Sequence, residues 1–243
     1  GWLDPDNGKT WLDVIATELS KIDPDNADIY FDNATQGKAD IDAVRAWGLN
    51  TGSSDVVVAV IDTGVRYTHH DLRNQMWVNA DEIPNNGKDD DKDGYIDNIY
   101  GVDVINDDGD PMDDNGHGTH CAGTIGAEAN NGHPHVGVTW KVRLMACKFL
   151  SAGGSGTTSD AVKSINWAVA NGANVLSNSW GGGGYSSSEN TTINVAHDTY
   201  GAIVVGAAGN GDDDGGDEYA AHYPSSYTNC ISVCAMACSG NWG

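Results

Sequence analysis

The run Val56-Val57-Val58-Ala59-Val60-Ile61 constrains this chain more than any other segment. It is uninterrupted, apolar and mostly β-branched, and it lacks the polar alternation of a strand with one wet face. Such a run is expected to be a strand covered on both sides, inside a parallel sheet with helices above and below. Shorter apolar segments at 144–150, 174–178, 202–206 and 230–235 have the same character. Helical spacing marks 117–127 and 159–170 between them; Ser159 is the expected N-cap of the second helix, and Asn171-Gly172 its stop. Strands alternating with helices imply right-handed crossovers, so the expected fold class is α/β, a three-layer αβα arrangement with a mostly parallel sheet. Functional loops then belong at the strand C-terminal ends, where Asp62, Trp180 and Asn210 fall.

Residues 1–37 read differently. Trp11, Ile15, Leu19 and Ile22 form one apolar stripe on a helix, bracketed by Asp-Pro-Asp-Asn turns at 4–7 and 23–26. The expected organisation is an N-terminal helical extension over 1–37 and one domain over 38–243. Residues 1–37, through the segment from Gly1 to Ala16, resemble a stretch of the bacterial zinc-uptake solute-binding proteins. That family's ligand His precedes its Trp-Leu-Asp-Pro, and a metal-transport function is not supported here.

Charge narrows the partners. There are 12 Lys and Arg against 35 Asp and Glu, a net charge of −23. That field opposes nucleic-acid backbone, so no nucleic-acid partner is expected. No apolar run approaches the roughly 20 residues of a membrane-spanning helix, so no membrane partner is expected either. The chain has no initiating Met and no signal-peptide pattern, which implies a start after a cleavage or within a longer polypeptide. The acidic residues cluster at 89–91, 107–108, 113–114 and 212–214, either as a solvated surface or as holders of divalent cations. The five cysteines lack zinc-type Cys-x-x-Cys spacing, Cys121 and Cys147 read as buried thiols, and the sequence assigns no disulfide among Cys230, Cys234 and Cys238.

Three motifs carry the chemistry. Asp62 ends the 56–61 run and precedes Thr63-Gly64; alone, it could simply cap a turn. His117 stands in Asp-Asn-Gly-His-Gly-Thr-His-Cys-Ala-Gly-Thr, with glycines on both sides and a helix following. His120, one turn on, is expected to pack beneath the site. Asn210 sits between two glycines after Ile203-Val204-Val205. In this order the three segments resemble the subtilisin-like serine proteases (subtilases), whose chain order is Asp, His, Ser. An aspartic protease is opposed because only one Asp-Thr-Gly occurs and His-Gly-Thr-His follows it.

The resemblance implies roles. Asp62 would orient the imidazole of His117, His117 would act as general base, and the Asn210 amide would stabilise the oxyanion. Gly154, Ser155 and Gly156 would form an edge strand that pairs with substrate backbone. Ser179, Trp180 and Gly181 would form the opposite wall and part of the primary specificity pocket. The family's nucleophile lies in a Gly-Thr-Ser-Met-Ala type segment after the Asn, and no such segment occurs by Gly243. The nucleophile is therefore expected beyond this chain, the sheet is expected to be incomplete at the C-terminus, and this polypeptide alone is expected to be inactive. Ser159 precedes Asn210 and is rejected for that role.

Calcium is the expected cofactor. Asp89, Asp91, Asp93, Gly94 and Asp97 match positions 1, 3, 5, 6 and 9 of an EF-hand loop, with Tyr95 at the carbonyl-donating position 7. Tyr100 stands at position 12, where a bidentate Glu belongs, so the segment reads as a calcium-binding insertion. Asp71 and Asn131 match positions that ligate a further calcium in the family. The expected function is a secreted or extracytoplasmic, calcium-stabilised serine endopeptidase acting on proteins or peptides, with an inhibitory propeptide as a further partner. The alternatives are a pseudo-protease that binds peptide and calcium without catalysis, and a calcium-binding module of other ancestry.

Overall fold

The computed structural model describes residues 41, 43–210 and 221–235. The stripe at 11–22, the acidic cluster at 212–214 and Cys238 lie outside the described residues. The chain divides into two compact units, Gly1–Thr51 with Cys234–Gly243, and Gly52–Val233. The described part of the first contains one short helix, α1 (Ala43–Trp47). The second contains the sheet and every candidate site residue that the structure describes.

Six strands form one parallel sheet: β1 (Gly52–Asp62), β2 (Gly101–Asp103), β3 (Lys141–Lys148), β4 (Val175–Asn178), β5 (Ile203–Ala207) and β6 (Cys230–Val233), in spatial order β2-β3-β1-β4-β5-β6. The β-branched run lies within β1, at the centre of the sheet. Its alternate residues serve opposite layers. Ala59 and Ile61 join the core with Met145, Ile165, Leu176 and Val204. Val58 and Val60 join Leu72, Met76, Val142 and Leu144. Helix α2 (His117–Gly126) contributes Ala122 to the second core, while α3 (Thr158–Ala170) and α4 (Ser187–Asp198) contribute Ile165 and Ile193 to the first. This is the expected three-layer αβα architecture.

Three local features differ from the sequence reading. Helix α3 starts earlier, because the Thr157 side chain accepts the Asp160 N–H and caps it, leaving Ser159 in the first turn. Strand β2 and helix α4 were not anticipated: one is three residues long, and the other is mostly polar. Strand β6 is not buried; Ile231 and Val233 are more than half exposed.

The topology fixes where chemistry can occur. β1 lies between β3 and β4: the chain leaves β1 toward the β2–β3 side and later crosses from β3 to β4 on the other. A crevice forms outside the carboxyl ends of strands at such a switch point. Asp62, Lys148 and Asn178 are the last residues of β1, β3 and β4.

Candidate active site

Asp62 is fully buried at the end of β1, and its Oδ1 lies 2.7 Å from His117 Nδ1. The same oxygen accepts the Thr63 N–H at 2.7 Å. His117 opens helix α2, and its side chain is half exposed. With Nδ1–H donated to the buried carboxylate, Nε2 is left to exchange a proton with a reacting group. Two residues 55 positions apart are thus joined by one side-chain contact.

Close backbone packing makes this contact. A Cβ on Gly118 would lie 2.1 Å from the Gly64 carbonyl oxygen and 3.1 Å from Asp62 Oδ1. Only glycine lets the helix start approach the end of β1 so closely, which is the physical content of the Gly after His117.

Asp113 organises the loop ahead of His117. Its carboxylate accepts from Thr63 Oγ1, Asn115 N, Gly116 N, Thr119 N and Thr119 Oγ1. Burial alone would raise its pKa, but the bonds from Gly116, Thr119 and Asn115 outweigh it and hold the carboxyl below the usual value. Thr63 Oγ1 in turn accepts the Gly118 N–H, so Asp113 connects to both sides of the dyad.

Lys148 supplies the second anchor. It is 1% exposed, and its ammonium donates to Thr63 O (2.9 Å), Leu150 O (3.0 Å) and Asp114 Oδ1 (2.7 Å). All three donors are used, tying the exits of β1 and β3 to the His117 loop. Sequence reasoning missed Asp113 and Lys148 as organisers. The only signal was a lysine closing the apolar stretch Leu144–Cys147 of β3.

Cys121 lies one helical turn after His117, with its Sγ 3.9 Å from the ring. It is half-buried beside the dyad rather than an inert core thiol. Burial pushes its pKa up; a Ser179 hydrogen bond opposes this and the Asp62 and Asp113 carboxylates reinforce it. Cys147 is the buried thiol the sequence suggests, and Cys121, Cys147, Cys230 and Cys234 are all unpaired. His120 is exposed and does not pack beneath the site.

The two expected cleft walls meet at their bases. The Trp180 ring packs edge-on against Phe149 at 4.7 Å, and Gly156 sits directly on the Phe149 backbone. The segment with Gly154, Ser155 and Gly156 is an exposed turn rather than a strand, closed by Ser151 N–H to Ser155 O and Gly154 N–H to Ser151 O. On the other wall, Ser179 and Trp180 are half-buried and Gly181 is exposed. The His222 ring lies over Gly181, where a Cβ would meet its Cε1 at 1.8 Å, and it also borders Gly209. Its Nδ1 is 3.1 Å from Ala207 O. His222 therefore wedges between the wall at Gly181 and the segment leading to Asn210, an arrangement no sequence motif announced. Asn210 follows the end of β5 in an exposed loop.

The acidic segment divides in two. Asp89 and Asp91 converge with Glu82, one oxygen of each lying within 4.8 Å of the others. Glu82 is 5% exposed and accepts the N–H groups of Asp90, Asp91 and Asp97, a role the sequence did not reveal. Asp93 instead accepts from Asn98 Nδ2, Trp167 Nε1 and the Tyr95 N–H, and Asp97 caps the turn at Asn86 and Gly87. Burial pushes the Asp91 carboxyl up; hydrogen bonds from Asn79 and Asp93 oppose this, while the Asp93 and Glu82 charges add to it. Elsewhere, Asn131 Nδ2 donates to Asp71 Oδ1 at 2.8 Å, so that pair is brought together.

A model of the subtilase family (peptidase S8) matches residues 53–241. The chain belongs to the subtilase family. A model of the periplasmic zinc-uptake complex component A matches residues 1–59, and overlaps the subtilase match in β1. The chain is 36% identical to the thermophilic serine proteinase of Bacillus sp. (strain AK1) over 209 residues, 86% of this chain and 45% of that protein. It is 33% identical to thermitase of Thermoactinomyces vulgaris over 206 residues, 85% of this chain and 63% of that protein. It is 40% identical to subtilisin-like protease 1 of Plasmodium vivax over 137 residues, 56% of this chain and 22% of that protein. The chain thus spans less than two thirds of the length of these relatives. Among the described residues, no helix is long and apolar enough to cross a membrane.

Proposed function

We propose that this chain carries the acid–base half of a serine endopeptidase acting on protein or peptide substrates. The observation that carries the reading is the 2.7 Å contact between buried Asp62 and half-exposed His117, within a subtilase fold. His117 Nε2 takes the proton of a serine nucleophile and returns it to the leaving amine, while Asp62 holds the tautomer and stabilises the imidazolium. The Asn210 amide donates to the oxyanion. Gly154–Gly156 and Ser179–Gly181 flank the substrate chain. Secretion and control by an inhibitory propeptide accompany this reading, in keeping with a family of secreted proteases.

Among the described residues, no serine hydroxyl is hydrogen-bonded to His117. Residues 1–243 on their own are therefore expected not to turn over peptide. Hydrolysis by this polypeptide, with fluorophosphonate labelling of a serine within it, would overturn that. In the longest natural polypeptide containing these residues, Asp62→Asn should lower kcat by about 10⁴-fold and His117→Ala by about 10⁶-fold, the latter a value that comes from subtilisin itself, with folding intact. Asn210→Ala should cost about 10²–10³, a value that comes from the subtilisin oxyanion asparagine itself. Unchanged kinetics in His117→Ala would remove the dyad from the reaction.

We also propose that Ca²⁺ binds the 82–97 segment. Three carboxylates from Glu82, Asp89 and Asp91 converge there, and among the described residues no lysine or arginine forms an ion pair with them. Hard oxygen donors at this density suit Ca²⁺, which neutralises their mutual repulsion. Glu82 supplies the carboxylate missing from position 12, and Asp93, Tyr95 and Asp97 brace the loop. EDTA should lower the melting temperature of the wild type, and Glu82→Gln should remove most of that shift. An EDTA-insensitive wild type would rule the site out. Asp71 and Asn131, paired at 2.8 Å, are the proposed ligands of a second Ca²⁺, which would turn the Asn131 amide oxygen toward the ion.

A further inference from the structure

The His222 ring stands in the crevice that the proposed substrate path crosses. A carbonyl under attack faces the Asn210 amide while its backbone runs along Ser179–Gly181. The side chain of that residue therefore descends between this wall and the segment 207–210. The imidazole is already there. A Cβ on Gly181 would collide with its Cε1, and a Cβ on Gly209 would meet its Cδ2 and Nε2 at 3.3 and 3.4 Å. Glycine at both positions leaves room for the ring and for nothing larger beside it.

The ring is held in this position from several sides. His222 Nδ1 lies 3.1 Å from Ala207 O, so the Nδ1–H tautomer donates to the end of β5. The main chain beneath it closes into a turn: the His222 N–H donates to Ser226 Oγ at 3.0 Å, and its carbonyl accepts from the Ser226 N–H and from Ser225 Oγ, each at 2.8 Å. The Gly182 N–H donates to the Tyr223 carbonyl at 3.2 Å, which ties the turn to the wall. Trp180, braced edge-on against Phe149, stiffens that wall. The residue is half-buried, so the ring is reachable from the crevice.

We propose that His222 sets the specificity of this crevice: it admits a small side chain (Gly, Ala or Ser) before the scissile bond and excludes large apolar ones such as Phe, Tyr and Leu. This selectivity rests on the proteolytic reading and adds the substrate class to it. Two effects act in the same direction. A large side chain has to displace the ring, which breaks the bond to Ala207 O and overpacks the glycine backbones on either side. It also covers an imidazole nitrogen with hydrocarbon and removes its water. A methyl or hydroxymethyl group reaches the ring edge without doing either.

The test measures kcat/KM of the longest natural polypeptide containing these residues on anilides of tetrapeptides that differ only in their last residue, Ala or Phe. Ala should be preferred by at least about tenfold. His222→Ala should move the ratio toward Phe by about 10–100-fold, and His222→Asn, of intermediate volume, should move it less. A second readout needs no turnover. In NMR of residues 1–243, a tetrapeptide acid ending in Ala should shift the His222 ring signals, and one ending in Phe should not. A polypeptide that cleaves neither anilide refutes the proteolytic reading, and the ring signals then decide by themselves whether His222 closes the crevice. Three results would overturn the proposal: Phe cleaved as well as Ala by the wild type, a ratio unchanged when the ring is removed, or ring signals indifferent to the Ala-ending peptide.

Discussion

The two flanks of the central strand are held by different forces. On the β3 flank, the ends of β1 and β3 are joined by buried polar groups: Asp62 to His117, Asp113 to five donors, and Lys148 to three acceptors. On the β5–β6 flank, backbone ladders hold the strands, and Ile203, Ile231 and Val233 present about half their surface to solvent. Geometry at the dyad therefore rests on a hydrogen-bond network satisfied except at Asp62 Oδ2, and departures from it leave further buried polar groups unpaired. The outer strands have register from their ladders, with little apolar cover on the exposed side of β6.

If that contrast is right, the largest loss comes from Lys148. Lys148→Ala leaves Thr63 O and Leu150 O without their donor and opens a cavity along the lysine stem. A destabilisation of about 3–5 kcal/mol is expected, the range for breaking one side of a buried charged contact. Asp114 is half exposed, but it makes the one ion pair of the buried Lys148 ammonium among the described residues, so Asp114→Asn should cost about 1–3 kcal/mol, less than Lys148→Ala because the amide oxygen can still accept. Denaturant unfolding of the two variants measures the difference. Equal, small losses would show that the corner is held by apolar packing after all.

Asp113→Asn comes next, at about 2–3 kcal/mol, because one amide nitrogen replaces an oxygen that accepts hydrogen bonds. The same carboxylate sets a pH dependence. Its folded pKa lies below the ordinary value of 3.8, so its contribution is complete above that value and is lost as pH falls through the depressed folded pKa. Acid unfolding of wild type should therefore steepen below about pH 4 relative to Asp113→Asn. Parallel acid limbs would place the stabilising charge elsewhere.

The same division explains what the sequence could convey. The β1 run, the glycines around His117 and the strand–helix alternation are local signals, and each led to the observed element. The Asp62–His117 pairing followed from motif order, whereas the spatial order of the six strands was not legible in the sequence. Lys148 reaches Thr63 across 85 positions and Asp113 reaches it across 50, while Glu82 and His222 meet partners 8 to 15 positions away in irregular loops, and such contacts leave no periodicity to read. The turn conformation at 154–156 was not legible for a related reason. Glycine permits a close strand pairing, but its freedom equally allows the closed turn at Ser151–Ser155.

The smallest effect is expected on the exposed flank, and it is the sharpest check of the comparison. Ile231 alternates outward on β6 and is 56% exposed, whereas Leu176 on β4 is fully buried. Ile231→Thr keeps the β-branch and the ladder while removing apolar surface that is largely wet already. It should change stability by less than about 0.5 kcal/mol, against about 2–5 kcal/mol for Leu176→Ala. A larger loss at Ile231 in solution would mean that this face is covered there, and the contrast between the flanks would then reflect a missing partner surface rather than a difference in design.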